Sequence, residues 1–309
     1  MRTRITELLG IDIPVVQAPM GYIARAQLAS AVSNAGGMGI IETSSGQLDD
    51  IKVEIAKMRD LTDRPWGVNI AQLLVPDATV IDFVIEHEVG FVTTSAGDPN
   101  RFTAMLKEAG ITVFHVVPTL RGALKAVDAG VDGLIVEGVE GGGFKNPHGS
   151  STMVLTPLVV AEVDVPVIAA GGICDGVSMA AALVLGADGV QMGTRMLSAA
   201  ESPVHDNWKQ AVVAAAETDT VLLNRFGRPG MRALRTELTA ELEHHDQVHM
   251  PGLDRLMDQY FGGQMDVAVP FGGQVMGRIE EVRPVADILG EAWDDCQVRL
   301  RQLGQAATG

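Results

Sequence analysis

Eight short apolar runs rich in β-branched residues recur at regular intervals, and no other feature restricts the fold of this chain so tightly. They are IPVVQAP (13–19), GMGIIE (37–42), WGVNI (66–70), GFVTTS (90–95), ITVFHVV (111–117), DGLIVEG (132–138), VPVIAAGG (165–172) and ADGVQMG (187–193). Amphipathic stretches of helical length, such as ATVIDFVIEHE and MAAALVL, lie between them. The joints AG-ITV, AG-VDGLIV and LG-ADGVQM repeat one formula, with glycine where a helix ends in a left-handed residue. Strand and helix in alternation define βαβ units on a parallel sheet. Eight units in succession predict an α/β fold closed into a TIM (β/α)8 barrel, because an open doubly wound sheet uses fewer strands and a glycine fingerprint after the first. No GxGxxG follows the first run, and neither GxxxxGKS nor GxxxxGKT occurs.

Beyond Thr194 the rhythm stops. WKQAVVAAAETD and RALRTELTAELEHHD read as helices, followed by the glycine-rich VPFGGQVMG. The expected organisation is a barrel over 1–200, a small helical subdomain after strand 8 over 201–275, and a C-terminal segment over 276–309. The stretch RPVADILGEAWDDCQVRLRQL in that last segment has the pattern of an amphipathic helix packing back on the barrel.

A net charge of −16 repels a phosphate backbone on average, and no Lys/Arg cluster offsets it, so nucleic acid is not an expected partner. The N-terminal MRTRITELLG lacks a signal-like apolar core, and no run approaches the length of a membrane helix, which predicts a cytoplasmic protein. Cys174 and Cys296 alone provide neither a disulfide framework nor a CxxC pair.

In such barrels the loops after strands 7 and 8 commonly hold a phosphate group. Here strand 7 ends in Ala170-Gly171-Gly172-Ile173 and strand 8 in Gly193-Thr194-Arg195, each just before a helix. Missing side chains let N–H groups approach an anion, and the positive helix end is aimed the same way. A purely structural use of these glycines in tight turns is the alternative. The loop after strand 6, EGVEGGGFKNPHGSST (137–152), lies beside that site. Glu137 can accept from hydroxyls there, and Gly141, Gly142 and Gly143 admit a flat ring or sugar chain against the backbone; a flexible lid is the competing reading. Met20 after strand 1 and Asn69 in strand 3 suit the face and the edge of a planar heterocycle.

Taken together, QAPM (17–20), GVNI (67–70), EGVEGGG (137–143), VPVIAAGGICDG (165–176) and VQMGTRM (190–196) resemble the nitronate monooxygenase (2-nitropropane dioxygenase) family of FMN-dependent barrels. That family also includes FMN-containing enoyl-acyl-carrier-protein reductases. The resemblance implies FMN, with its phosphate at Gly171, Gly172, Gly193 and Thr194 and its ring near Pro19, Met20, Asn69 and Gly142. It implies oxidation of a nitronate or similar carbon acid with O₂, or in the alternative NAD(P)H-dependent reduction of an enoyl thioester. The expected substrate is a small molecule or acyl thioester, and the assembly to test is a homodimer. Two departures stand out. The family's GGH after strand 6 is Gly142-Gly143-Phe144 here, and after strand 5 the nitronate-oxidising pattern HKCT is replaced by VVPT (116–119), closer to the VVPS of the reductases.

His148, four residues past the lost histidine position, is the candidate catalytic imidazole, with plain solvation as its alternative. Lys145 reads as a surface charge or as a binder of a carboxylate or phosphate. His115 faces either the barrel interior or the helices. Cys174 reads as a small filler. Glu241, His244, His245 and His249 contain an i, i+4 histidine pair, yet a charged helix face explains them better, and no metal is expected. A non-redox barrel binding a phosphorylated metabolite remains the alternative of another class; such enzymes commonly use an inward lysine or paired carboxylates at strand ends.

Overall fold

The protein is described by a computed structural model covering residues 1–309 except 44, 46, 147, 228, 246, 249–258, 308 and 309. Every one of the eight apolar runs contains a strand: β1 Val15–Gln17, β2 Gly39–Glu42, β3 Trp66–Ala71, β4 Phe91–Ser95, β5 Thr112–Val117, β6 Gly133–Glu137, β8 Val167–Ala170 and β9 Gly189–Met192. They form one parallel sheet in the order β1-β9-β8-β6-β5-β4-β3-β2. A parallel bridge from Val16 to Met38 joins its two ends. Two 2.9 Å bonds, Gln17 N–H to Met38 O and Met38 N–H to Val15 O, complete this closure into a (β/α)8 barrel.

The strands are buried on both faces, which is why they read as unbroken apolar runs. Inside the barrel, Val16, Ile40, Phe91, Phe114, Ile135 and Ile168 pack with Ile5 and Leu9 of the helix Arg4–Leu9. Phe91 and Phe114 meet edge to face at 5.4 Å. Gly133 is bare because a Cβ there would lie 2.2 Å from the Phe114 ring. Outside, the helix Val285–Ala306 buries Ile288, Leu289, Ala292 and Cys296. It packs on the helix Gly176–Val184, and a Cβ on Gly176 would come within 2.6 Å of Asp295.

The segment after the eighth barrel strand departs from the helical expectation. It does hold the helices Asp206–Ala214 and Glu237–Leu242, but a hairpin of β10 Thr220–Leu223 and β11 Gly230–Leu234 lies between them. The loop after β6 contributes a further strand, β7 Gly143–Lys145, so that β10-β11-β7 form an antiparallel sheet. The apolar residues Val221, Leu223, Met231 and Ala233 give this hairpin its own small core with Val269. Arg232 fastens the sheet to the loop after β6 by donating to Val139 O at 2.9 Å, and braces the hairpin itself by donating to Thr220 Oγ1 at 2.9 Å. Among the described residues, no helix is long and apolar enough to cross a membrane.

Candidate active site

A cavity of about 1060 Å³ opens at the carboxyl ends of the barrel strands and runs beneath the antiparallel sheet. Pro19, Met20, Asn69, Glu137, Gly142, Gly143, Gly171, Gly172, Gly193 and Thr194 all line it, so the topology gathers residues spread over most of the chain.

Its floor at β8 and β9 is backbone. Gly171 and Gly172 have φ of +94° and +76°, a left-handed backbone that side chains oppose. A Cβ on Gly171 would sit 3.0 Å from both Gly138 O and Thr152 Oγ1. The N–H groups of Gly172, Ile173 and Gly193 make no hydrogen bond within the described residues. Thr194 opens the short helix Thr194–Leu197, whose first-turn N–H groups lack partners within the helix. Its hydroxyl accepts from Gly273 N–H at 2.9 Å. Beside them the buried Gln191 Oε1 has no donor among the described residues. Unpaired N–H groups suit a phosphate, and an unpaired acceptor suits the hydroxyls and ring N–H of a flavin nucleotide, so these residues fit FMN.

Asn69 is at its expected place, but its amide donates to Thr93 Oγ1 at 2.9 Å and Thr93 O at 3.1 Å, bracing β3 against β4. Two glycines of the strand 6 loop also answer a packing need. A Cβ on Gly142 would lie 2.7 Å from the Gly272 backbone, so two bare segments touch there. A Cβ on Gly141 would lie 2.6 Å from Glu137 Oε1 and 3.1 Å from Lys145 Nζ.

That ion pair is what the surface-charge reading of Lys145 missed. Lys145 Nζ donates to Glu137 Oε1 at 2.5 Å, with 4% of the lysine side chain exposed. His115 also lines the cavity and is buried, its Nδ1 2.7 Å from Thr94 Oγ1. Burial pushes its pKa down to about 4, against the opposing pull of Asp98.

His148 is not placed for the catalytic role expected of it. It is exposed and not among the cavity-lining residues; its own N–H donates to Asn146 Oδ1 at 3.0 Å, in a tight turn that also bonds Gly149 N–H to Asn146 O. Cys174 is buried, with its thiol pushed up to about 12 by desolvation, in keeping with a filler. His244 and His245 follow the helix Glu237–Leu242, while His249 lies outside the described residues. No group of three His, Cys, Asp or Glu among the described residues could hold a metal. Tyr260, Phe271, Gly273 and Val275 line the cavity from the late segment, where the glycine-rich VPFGGQVMG was the only forward signal.

Fold and cavity define a (β/α)8 barrel enzyme working at the carboxyl end of its strands. The chain belongs to the nitronate monooxygenase family, whose model it matches over residues 2–80 and 71–294, and like that family it is an oxidoreductase. A Mycobacterium tuberculosis protein named (3aS,4S,5R,7aS)-5-hydroxy-7a-methyl-1-oxo-octahydro-1H-indene-4-carboxyl-CoA dehydrogenase is 41% identical, over 79% of this chain and 69% of its own length. A probable nitronate monooxygenase of Staphylococcus saprophyticus is 31% identical, over 80% of this chain and 82% of its own. Among solved structures, FabK from Thermotoga maritima has a TM-score of 0.92 at 35% identity, covering 99% of both chains. Nitroalkane oxidase from Streptomyces ansochromogenes has a TM-score of 0.83 at 25% identity, over 96% of this chain and 99% of that one.

Proposed function

We propose that the chain is an FMN-dependent oxidoreductase of the nitronate monooxygenase type, oxidising a nitronate or similar carbon acid with O₂. The observation that carries this reading is the diglycine turn at Gly171 and Gly172, whose bare backbone, with the Gly172 N–H unpaired among the described residues, supports a phosphate on the floor of a large cavity. Gly193 and Thr194 would share the phosphate, while Pro19, Met20, Asn69, Glu137, Gly142 and Gly143 would surround the ring and sugar chain. Bound FMN supplies the electron acceptor for the substrate carbon and the route to O₂. The protein's own part is binding, orientation and exclusion of water by Tyr260, Phe271 and Val275.

A second reading, reduction or oxidation of an acyl thioester with NAD(P)H or another partner, has one specific observation behind it. The cavity of about 1060 Å³ lies just above the usual range for ligand sites, about 300–1,000 Å³, which favours a substrate larger than a small nitronate. The similarity to a CoA-ester dehydrogenase and to FabK points the same way. A cytoplasmic setting goes with either reading and is supported by two unpaired cysteines. Anaerobic rapid mixing of the FMN-loaded protein with NADH, NADPH and a nitronate separates the two. Bleaching of the flavin bands by nitronate alone supports the first; rapid bleaching by a nicotinamide replaces it with the second. Failure to take up FMN removes both.

A further inference from the structure

Lys145 is a buried cation in a chain with a net charge of −16. Among the described residues lining the cavity, the other lysine is Lys125, which is half exposed and paired with Asp98 at 2.7 Å; no arginine lines it. Strand pairing explains how the sequence turns this lysine inward. In β7, Phe144 and Lys145 project to opposite sides, as neighbours on a strand must. Pairing with β11 opposes Met231 to Phe144 and Gly230 to Lys145, and the exposed Phe144 meets Phe271 at 5.9 Å. Lys145 is left to reach Glu137 at the end of β6.

An ammonium has three donors. One goes to Glu137 Oε1 at 2.5 Å and one to Phe144 O at 3.1 Å, and the third has no acceptor among the described residues. Bare Gly141 makes the room for this arrangement. The lysine stands one position after Phe144, which occupies the place of the family's histidine. A positive donor with one free N–H, held rigidly in a largely apolar cavity, is a seat for an anionic oxygen, since charge-assisted bonds strengthen where water is scarce.

We infer that Lys145 binds the charged end of the substrate, a planar two-oxygen anion such as a nitronate or a carboxylate, and that Glu137 positions it. The inference rests on the oxidoreductase reading and names what that site recognises. Propionate, which is shaped like a nitronate head but cannot be oxidised there, is the probe. The FMN-loaded protein is titrated with propionate by calorimetry and by flavin difference absorbance. Saturable binding is expected in the wild type, weakened about ten- to a hundredfold by Lys145→Met and partly restored by Lys145→Arg. Since Lys145→Met leaves the half-buried Glu137 without its partner, Lys145→Gln, whose neutral amide can still donate to Glu137, guards against misfolding; it is expected to unfold as cooperatively as the wild type and to bind propionate as poorly as Lys145→Met. Equal affinity in the wild type and both variants, or no saturable binding in the wild type, overturns the inference. Nitronate bleaching with unchanged propionate affinity would sink the lysine's role alone. Loss of propionate binding in a protein that no nitronate bleaches would sink the nitronate reading alone.

Discussion

His115 and Thr94 stand directly opposite each other on β5 and β4, with the imidazole Nδ1 2.7 Å from the threonine hydroxyl oxygen in the cavity wall. The imidazole is buried and has its pKa lowered from 6.5 to about 4, chiefly by desolvation. It is neutral in the folded protein at pH 7, a hydrogen-bonding group and not a charge.

The pH dependence of stability follows. The unfolded chain takes up a proton at this histidine near pH 6.5, while the folded chain resists it until about pH 4. The stabilising contribution is therefore complete above pH 6.5 and is lost as pH falls towards 4. Urea unfolding at pH 7.5 and 4.5 is expected to show a loss of about 2 to 3 kcal/mol in the wild type that His115→Asn lacks. Equal losses in the two proteins would refute the buried neutral imidazole.

Two glycines of like conformation separate backbone strain from cofactor binding. Gly172 and Gly110 have φ of +76° and +77°, and a Cβ meets nothing closer than 3.5 Å at the first and nothing within 4 Å at the second. Alanine at either position is expected to cost about 1 kcal/mol of stability through its left-handed backbone. FMN affinity should fall only in Gly172→Ala, as measured by fluorescence titration of the apoprotein. A matching loss in Gly110→Ala would mean that the diglycine turn holds no phosphate.

Thr194 ties the late segment to the barrel through the Gly273 N–H at 2.9 Å, and Gln274 N–H adds a 2.9 Å bond to Glu140 O. Thr194→Val keeps the volume and strands the Gly273 donor, at a cost of about 1–3 kcal/mol. A lower melting temperature and faster FMN release on dilution are the expected results. Unchanged release would show that this tie does not control the cavity.

Both thiols should be inert in the native state. Burial raises Cys174 to about 12 and Cys296 to about 11, so little thiolate exists at pH 8. Mass spectrometry after iodoacetamide treatment at pH 8 is expected to find no label on folded protein and two on protein unfolded in guanidinium. Rapid native labelling of Cys174 would contradict its filler role.

The barrel was legible because its strands are buried on both faces, so runs such as ITVFHVV and VPVIAAGG announce themselves without reference to the rest of the chain. The phosphate-side glycines were legible for a related reason, since they sit at strand ends. The antiparallel sheet was not. MRAL of β11 runs straight into the capped helix Glu237–Leu242, and one helical pattern absorbed both, although LLNRFGRPGM carries turn residues between two apolar runs. GFK of β7 is too short to show alternation, and its partner lies about 85 residues away, a pairing no local pattern reports. Sequence alone therefore leaves Lys145 open between a surface charge and a binder of a carboxylate or phosphate. His115 stayed ambiguous because a strand's period gives two faces without saying which is which; packing decides that, since Phe114 fills the barrel interior while Val113 and Val117, on the face of His115, pack with the outer layer.

The three-residue strand that presents Lys145 has a consequence for how new specificities arise on this scaffold. Its facing is set by pairing with β11, a strand of the hairpin with β10, and hairpin loops are segments that tolerate insertions and deletions. A slip of one position would turn Lys145 away from Glu137 and remove the ammonium from its seat without a single substitution. Insertions and deletions in a loop distant from the chemistry can thus redirect the substrate, and a comparison of cavity residues alone would overlook it.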